Sequence, residues 1–202
     1  MQDRERHFIL GYGSLINGES RAKTGETGSV WPVKLSGFQR HWSIMSLEFG
    51  MSSVAVLRAE GQACNGVLVE VPEDQLALFD ERERGYQRSQ IKASHLSPYH
   101  GDKLPEGTYW VYHTEEVITP NQTCPIALSY VDVILSGCLE HGEDFAQDFL
   151  SLTLGWNGPL LNDRQRPRYP RVQPELCTER LNTLLAPVST LSIKELSITY
   201  ES

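Results

Sequence analysis

Near its start the chain runs through His7-Phe8-Ile9-Leu10 straight into Gly11-Tyr12-Gly13-Ser14-Leu15. A short apolar run stopped by glycine reads as a buried strand that ends in a tight turn. The rest of the fold must then cover that strand. Leaving a strand through Gly-Tyr-Gly-Ser lets the backbone aim successive N–H groups in one direction, because glycine tolerates the φ values such a nest requires. A cradle of this kind suits a substrate carboxylate or the oxyanion of a tetrahedral intermediate, and residue types alone admit both, as they admit ordinary turn glycines. Other glycine motifs fail on spacing. A dinucleotide fingerprint from Gly11 needs glycine where Ile16 stands, a phosphate loop needs a following lysine, and a nucleophile elbow around Ser14 needs glycines at Tyr12 and Ile16.

Further strands are expected at Val33 to Met45, Ser53 to Leu57, Gly66 to Val71, Tyr86 to His95 and Thr108 to His113, each bounded by Gly, Pro or polar clusters. Pro72-Glu73-Asp74 suits a helix N-terminus, with Leu76 and Phe79 as its apolar stripe. A second helix is expected from near Pro125, burying Ala127, Leu128, Val131, Ile134, Leu135 and Cys138 and closing near His141-Gly142. A third is expected from Asp144 to Leu154. After Gly155, Pro159, Pro167, Pro170 and Pro174 interrupt the chain before a short helix around Glu175 to Leu185. The division expected is a main domain over 1–154 with an extension over 155–202 packed on it.

A net charge of −8 argues against a surface that tracks phosphates, so nucleic acid is not an expected partner and small molecules are. Cys64, Cys124, Cys138 and Cys177 form no C-x-x-C pair and no regular framework, and they read as reduced thiols. The six histidines are isolated, so no metal site is expected. The charged opening Met1-Gln2-Asp3-Arg4-Glu5-Arg6 does not read as a signal peptide, and no stretch approaches the roughly 20 apolar residues of a membrane span. The expectation is a cytoplasmic protein with no membrane partner.

The segment Leu78-Phe79-Asp80-Glu81-Arg82-Glu83-Arg84-Gly85-Tyr86 is dense in charge, which usually marks a solvated helix end. Helix angles refine this. Glu83 lies about 20° from Leu76 on the wheel and Glu81 about 140° away, so Glu83 is directed at the core side and Glu81 at solvent. Asp80, about 40° from Leu76, is the rival with a shorter reach. A carboxylate among apolar neighbours has its pKa raised by desolvation, as a base working near neutral pH requires.

With the turn and the carboxylate both in view, the sequence resembles the γ-glutamylcyclotransferase family, which includes the ChaC-like enzymes and the γ-glutamylamine cyclotransferases. The family's first strand ends in a Tyr-Gly-Ser turn like Tyr12-Gly13-Ser14-Leu15, and its catalytic glutamate lies in an acidic segment like Phe79-Asp80-Glu81-Arg82-Glu83, followed here by Gly85-Tyr86. Tyr130 looks like the family's substrate-side helix tyrosine, and Tyr112 like a strand tyrosine. The resemblance covers about residues 7 to 142.

It implies an α+β fold, a compact mixed β-barrel flanked by helices. It also implies a cofactor-free enzyme that releases 5-oxoproline from a γ-glutamyl peptide or amine, glutathione among them, by attack of the α-amine on the γ-carbonyl. The site residues it assigns are Glu83 as base and Tyr12, Gly13, Ser14, Leu15, Tyr86 and Tyr130 as the substrate pocket. Two other readings stand beside it: a binding or sensor protein of the same fold, and a hydrolase built on Ser14 and a histidine. The arginine-dense segment from Asn162 to Arg171 is expected to be a solvated loop rather than a ligand site.

Overall fold

The computed structural model describes residues 5–101, 103–174 and 178–189 of the 202-residue chain. Met1 to Arg4, Glu175 and Cys177, on which some expectations fall, lie outside the described residues.

The opening strand β1 (His7–Gly11) is buried at every residue because it has a neighbour on each side. It pairs antiparallel with β3 (Ser53–Val71), Ile9 opposite Val69, and parallel with β6 (Thr108–His113), Ile9 opposite Trp110. The strand β2 (Val30–Ser43) lies antiparallel to β3. β4 (Gln87–Ile91) pairs with β6, and β5 (Leu96–Pro98) with β2. The order β4-β6-β1-β3-β2-β5 is mixed and open: among the described residues no pairing joins its two edges into a closed barrel.

The two segments expected as separate strands, at Ser53 to Leu57 and Gly66 to Val71, are one continuous strand. Between them the polar residues Arg58, Glu60 and Gln62 are exposed while Ala59 and Ala63 are half-buried, as in a strand with a solvated face, and the register with β2 shifts between Ser36 and Phe38. Gly37, at φ 82°, takes the left-handed conformation that this irregularity needs.

Helix α1 (Gly18–Ala22) follows the first turn and is capped by the Asn17 side chain, which accepts from Ser20 N–H at 2.8 Å. Helix α2 (Leu76–Arg82) starts after a 3₁₀ turn at Glu73–Gln75. The expected helix at Pro125 begins later, as α3 (Leu128–Glu140), because Ile126–Ala127 is drawn into a short strand, β7. Its burial is not confined to one stripe, since Ser129, Asp132, Val133 and Ser136 are buried with Val131, Ile134 and Leu135. Helix α4 (Glu143–Ser151) stops short of Leu154, because β8 (Thr153–Leu154) pairs with β2.

Beyond Gly155 the chain turns back on the earlier elements. β9 (Leu160–Leu161) pairs parallel with β7, and Leu181 and Leu184 of α5 (Thr178–Ser189) join the core. Beneath the first turn lies Arg40 of β2, fully buried and, among the described residues, with no carboxylate partner. Its donors all reach neutral oxygens instead: Nε to Thr153 Oγ1 at 2.7 Å, Nη1 to Asn65 O at 2.6 Å and Tyr12 O at 3.3 Å, Nη2 to Asn65 Oδ1 at 2.6 Å and Phe149 O at 3.2 Å. The guanidinium also lies 3.9 Å from the Phe149 ring centroid.

Candidate active site

The turn after β1 closes as a 3₁₀ turn, Ser14–Ile16, whose first backbone bond runs from Ile16 N–H to Gly13 O at 2.9 Å. The N–H groups of Ser14 and Leu15 precede that bond, and helix geometry leaves such groups to an outside partner. Several side chains fix the turn. Tyr12 Oη donates to the Tyr112 carbonyl at 2.7 Å, Arg21 Nη1 donates to Leu15 O at 2.9 Å, and Arg40 holds the Tyr12 carbonyl. Gly13 is required by close approach, since a Cβ there would lie 3.0 Å from the Tyr130 hydroxyl and 2.8 Å from Val54 Cγ2.

Glu83 stands one residue past the end of α2, yet its N–H still donates to Phe79 O at 2.9 Å. The last helical turn therefore carries it, and its side chain is 19 % exposed. Burial raises its carboxyl above the ordinary glutamate value, while the Arg82 guanidinium, 3.4 Å away, pulls the other way. Glu81 is at the surface, paired with Arg84 at 2.7 Å. Asp80 is held elsewhere: it accepts from Tyr112 Oη at 2.8 Å, lies 3.4 Å from Arg88 Nε, and is 45 % exposed.

A cavity of about 520 Å³ joins these parts. Tyr12, Gly13, Ser14, Leu15, Glu83, Tyr86 and Tyr130 all line it, as does Tyr112, whereas Asp80 does not. Burial, with Glu83 a lesser cause, pushes the phenols of Tyr12, Tyr86 and Tyr130 well above the usual tyrosine value, so they act as neutral donors. Ser53, another lining residue, works against that rise at Tyr86. Among the described residues no histidine lines the cavity, so the hydrolase reading lacks a base beside Ser14. Nor, among the described residues, does any group of three His, Cys, Asp or Glu side chains gather as a metal site.

The arginine-dense segment is a loop in which Asn162, Gln165, Arg166 and Arg168 are exposed, as expected, but other parts of it turn inward and it reaches the cavity. Arg164 forms a bidentate pair with Asp132, Nε to Oδ2 at 2.6 Å and Nη2 to Oδ1 at 2.8 Å, while Arg168, Tyr169 and Arg171 form part of the cavity wall. Buried Asp163 sets their position by accepting from Ser129 N–H at 2.8 Å, Ser129 Oγ at 2.6 Å and Arg168 N–H at 2.7 Å. The Tyr169 ring then meets Tyr130 edge-on at 4.9 Å. The density of arginine marked this segment, but nothing in its spacing signals that buried Asp163 turns it inward.

Residues 9–130 match the family described as gamma-glutamyl cyclotransferase, AIG2-like, and the chain belongs to that family. Among solved structures it is similar to one titled gamma-glutamyl cyclotransferase, with 14% identity and a TM-score of 0.60 over 90% of this chain and 99% of the other. A crystal structure of an uncharacterized protein from Homo sapiens gives 16% identity and a TM-score of 0.58, with the same coverage of 90% and 99%. YkqA from Bacillus subtilis gives 17% identity and a TM-score of 0.50 over 72% of this chain and 53% of that one. At these identities the likeness is one of fold. No match is found among curated proteins. Among the described residues no helix is long and apolar enough to cross a membrane.

Proposed function

We propose that this chain releases 5-oxoproline from a small γ-glutamyl compound, with Glu83 as base and the Tyr12–Leu15 turn as the grip on the substrate. The observation that carries the reading is the shared cavity: a carboxylate raised by burial faces the same space as the turn. In such a compound the α-amine attacks the γ-carbonyl carbon, a five-membered lactam forms, and the bond to the leaving amine breaks. Neither water nor a cofactor enters the balance.

The attacking amine must lose a proton. Free α-amino groups titrate at about 7.7–8.0, so a carboxylate raised toward neutrality accepts that proton as the new bond forms. Glu83 then returns it to the leaving nitrogen. Negative charge that gathers on the γ-oxygen is met by the N–H groups of Ser14 and Leu15. Tyr12, Tyr86 and Tyr130 shape a pocket that holds the glutamyl chain curled, which favours ring closure through a near-attack geometry.

The test is 5-oxoproline release by Glu83→Gln across a panel of γ-glutamyl substrates. The expected loss is about 10²–10⁴-fold with the fold retained, the usual contribution of a positioned base. Undiminished turnover overturns the assignment. Asp80→Asn, which alters a carboxylate that does not itself line the cavity, keeps most of the activity.

A further inference from the structure

The walls of this cavity reverse the charge of the chain. The whole sequence has 18 Lys and Arg against 26 Asp and Glu, yet Arg82, Arg84, Arg168 and Arg171 line the cavity with one carboxylate, that of Glu83. Arg84 is answered by Glu81, and Arg82 faces Glu83. Among the described residues no carboxylate lies within ion-pairing distance of Arg168 or Arg171.

Those two guanidiniums hold only neutral oxygens. Arg168 donates through Nη1 to the Gly50 carbonyl, and Arg171 through Nη2 to Lys23 O at 2.7 Å and Thr24 Oγ1 at 2.9 Å. The Thr24 hydroxyl also accepts from Arg82 Nη1, at 2.7 Å. Two guanidiniums therefore meet on one hydroxyl; Glu83 answers the charge of Arg82, and among the described residues no carboxylate answers that of Arg171. The Nε–Nη2 edge of Arg168 and the Nη1 group of Arg171 have no partner among the described residues; the Arg168 edge matches a carboxylate in bidentate fashion, and Arg171 Nη1 adds a further charged donor. Both guanidiniums are carried on the segment that Asp163 and Tyr169 fix against α3, so they meet a ligand already in position.

We infer that Arg168 and Arg171 bind a carboxylate on the leaving portion of the substrate. The favoured substrates are then γ-glutamyl amino acids and peptides with a free carboxylate beyond the scissile amide, rather than γ-glutamylamines. The inference rests on the proposed function for the identity of the scissile bond, but its recognition groups lie after the matched residues 9–130.

γ-Glutamylglycine and γ-glutamylglycinamide differ only in that carboxylate. Their binding to full-length Glu83→Gln protein, alone and combined with Arg168→Gln and Arg171→Gln, is measured by titration calorimetry. The acid is expected to bind about tenfold or more tighter than the amide, and the two added substitutions to bring that preference to about twofold or less. Equal binding of the two ligands, no binding of either, or a preference that survives both substitutions overturns the inference. A loss equal for both ligands assigns the guanidiniums to the glutamyl end and overturns it too. Thermal melts establish that the variants are folded, and Arg168→Gln, at an exposed position, carries the comparison alone if Arg171→Gln unfolds. Wild-type protein is assayed on the same pair. A binding preference without 5-oxoproline from either compound sinks the catalytic reading and leaves the carboxylate clamp standing.

Discussion

Gly13→Ala probes a tight contact between the first turn and the residues that face it. The added Cβ would lie 2.8 Å from Val54 Cγ2 and 3.0 Å from the Tyr130 hydroxyl, against about 3.5–4.0 Å for carbons at rest. Each neighbour is held by packing on its side away from the cavity. Tyr130 is wedged between Trp42, at 5.9 Å, and Tyr169, at 4.9 Å, and Val54 is buried in β3 opposite Trp42. Overpacking of this kind costs about 1–3 kcal/mol, of which the stiffer unfolded chain returns about 0.4–1 kcal/mol. Urea denaturation should therefore show a net loss of about 0–2.6 kcal/mol. Val54→Ala costs about 1.5–3 kcal/mol through the methyls removed, but it opens the space that the new Cβ needs. The double variant should fall short of the summed losses by about 1 kcal/mol or more and should recover part of the 5-oxoproline turnover lost in Gly13→Ala. Losses that add to within about 0.5 kcal/mol would refute the contact argument.

The raised carboxyl of Glu83 gives a pH signature. The folded state holds this proton more tightly than the unfolded one, so the wild type loses stability as pH rises from the unfolded value near 4.5 through the higher folded value. Glu83→Gln should melt above the wild type at about pH 8 and level with it at about pH 4; a gap that widens toward acid contradicts burial as the cause. The base must be ionised to act, so kcat/KM should rise with pH along a limb placed above 4.5, and Arg82→Gln should move that limb upward by removing the opposing cation. Asp163→Ala leaves the donors on Ser129 and Arg168 unmatched and should cost about 2–4 kcal/mol in urea unfolding; a change below about 0.5 kcal/mol would deny Asp163 its anchoring role.

The sequence made the centre of the molecule readable and left its rim obscure. His7 to Leu10 was visible as a buried strand because apolar residues ran directly into glycine, and helix angles turned Glu83 inward although α2 ends at Arg82. The long β3 was not legible, since polar residues such as Arg58, Glu60 and Gln62 in a solvated stretch look like a loop until the pairing with β2 is known. The wall built by Arg168 and Arg171 was hidden for a different reason. It depends on one buried carboxylate, Asp163, finding the start of a helix more than thirty residues upstream, and no local pattern encodes that meeting. Arg40 offered a faint sign, because alternation along Phe38, Arg40 and Trp42 sets it on the inward side of its strand.

That inward arginine bears on how the protein responds to acid. A guanidinium keeps its charge across the whole range in which carboxylates titrate, and each oxygen around Arg40 is a carbonyl, an amide or a hydroxyl with no proton to gain there. Its hold on Tyr12 O is therefore indifferent to acidity, while the carboxyl across the cavity is not. The scaffold stays fixed as the reacting group switches, and a pH profile of this protein reports chemistry rather than a loosening loop.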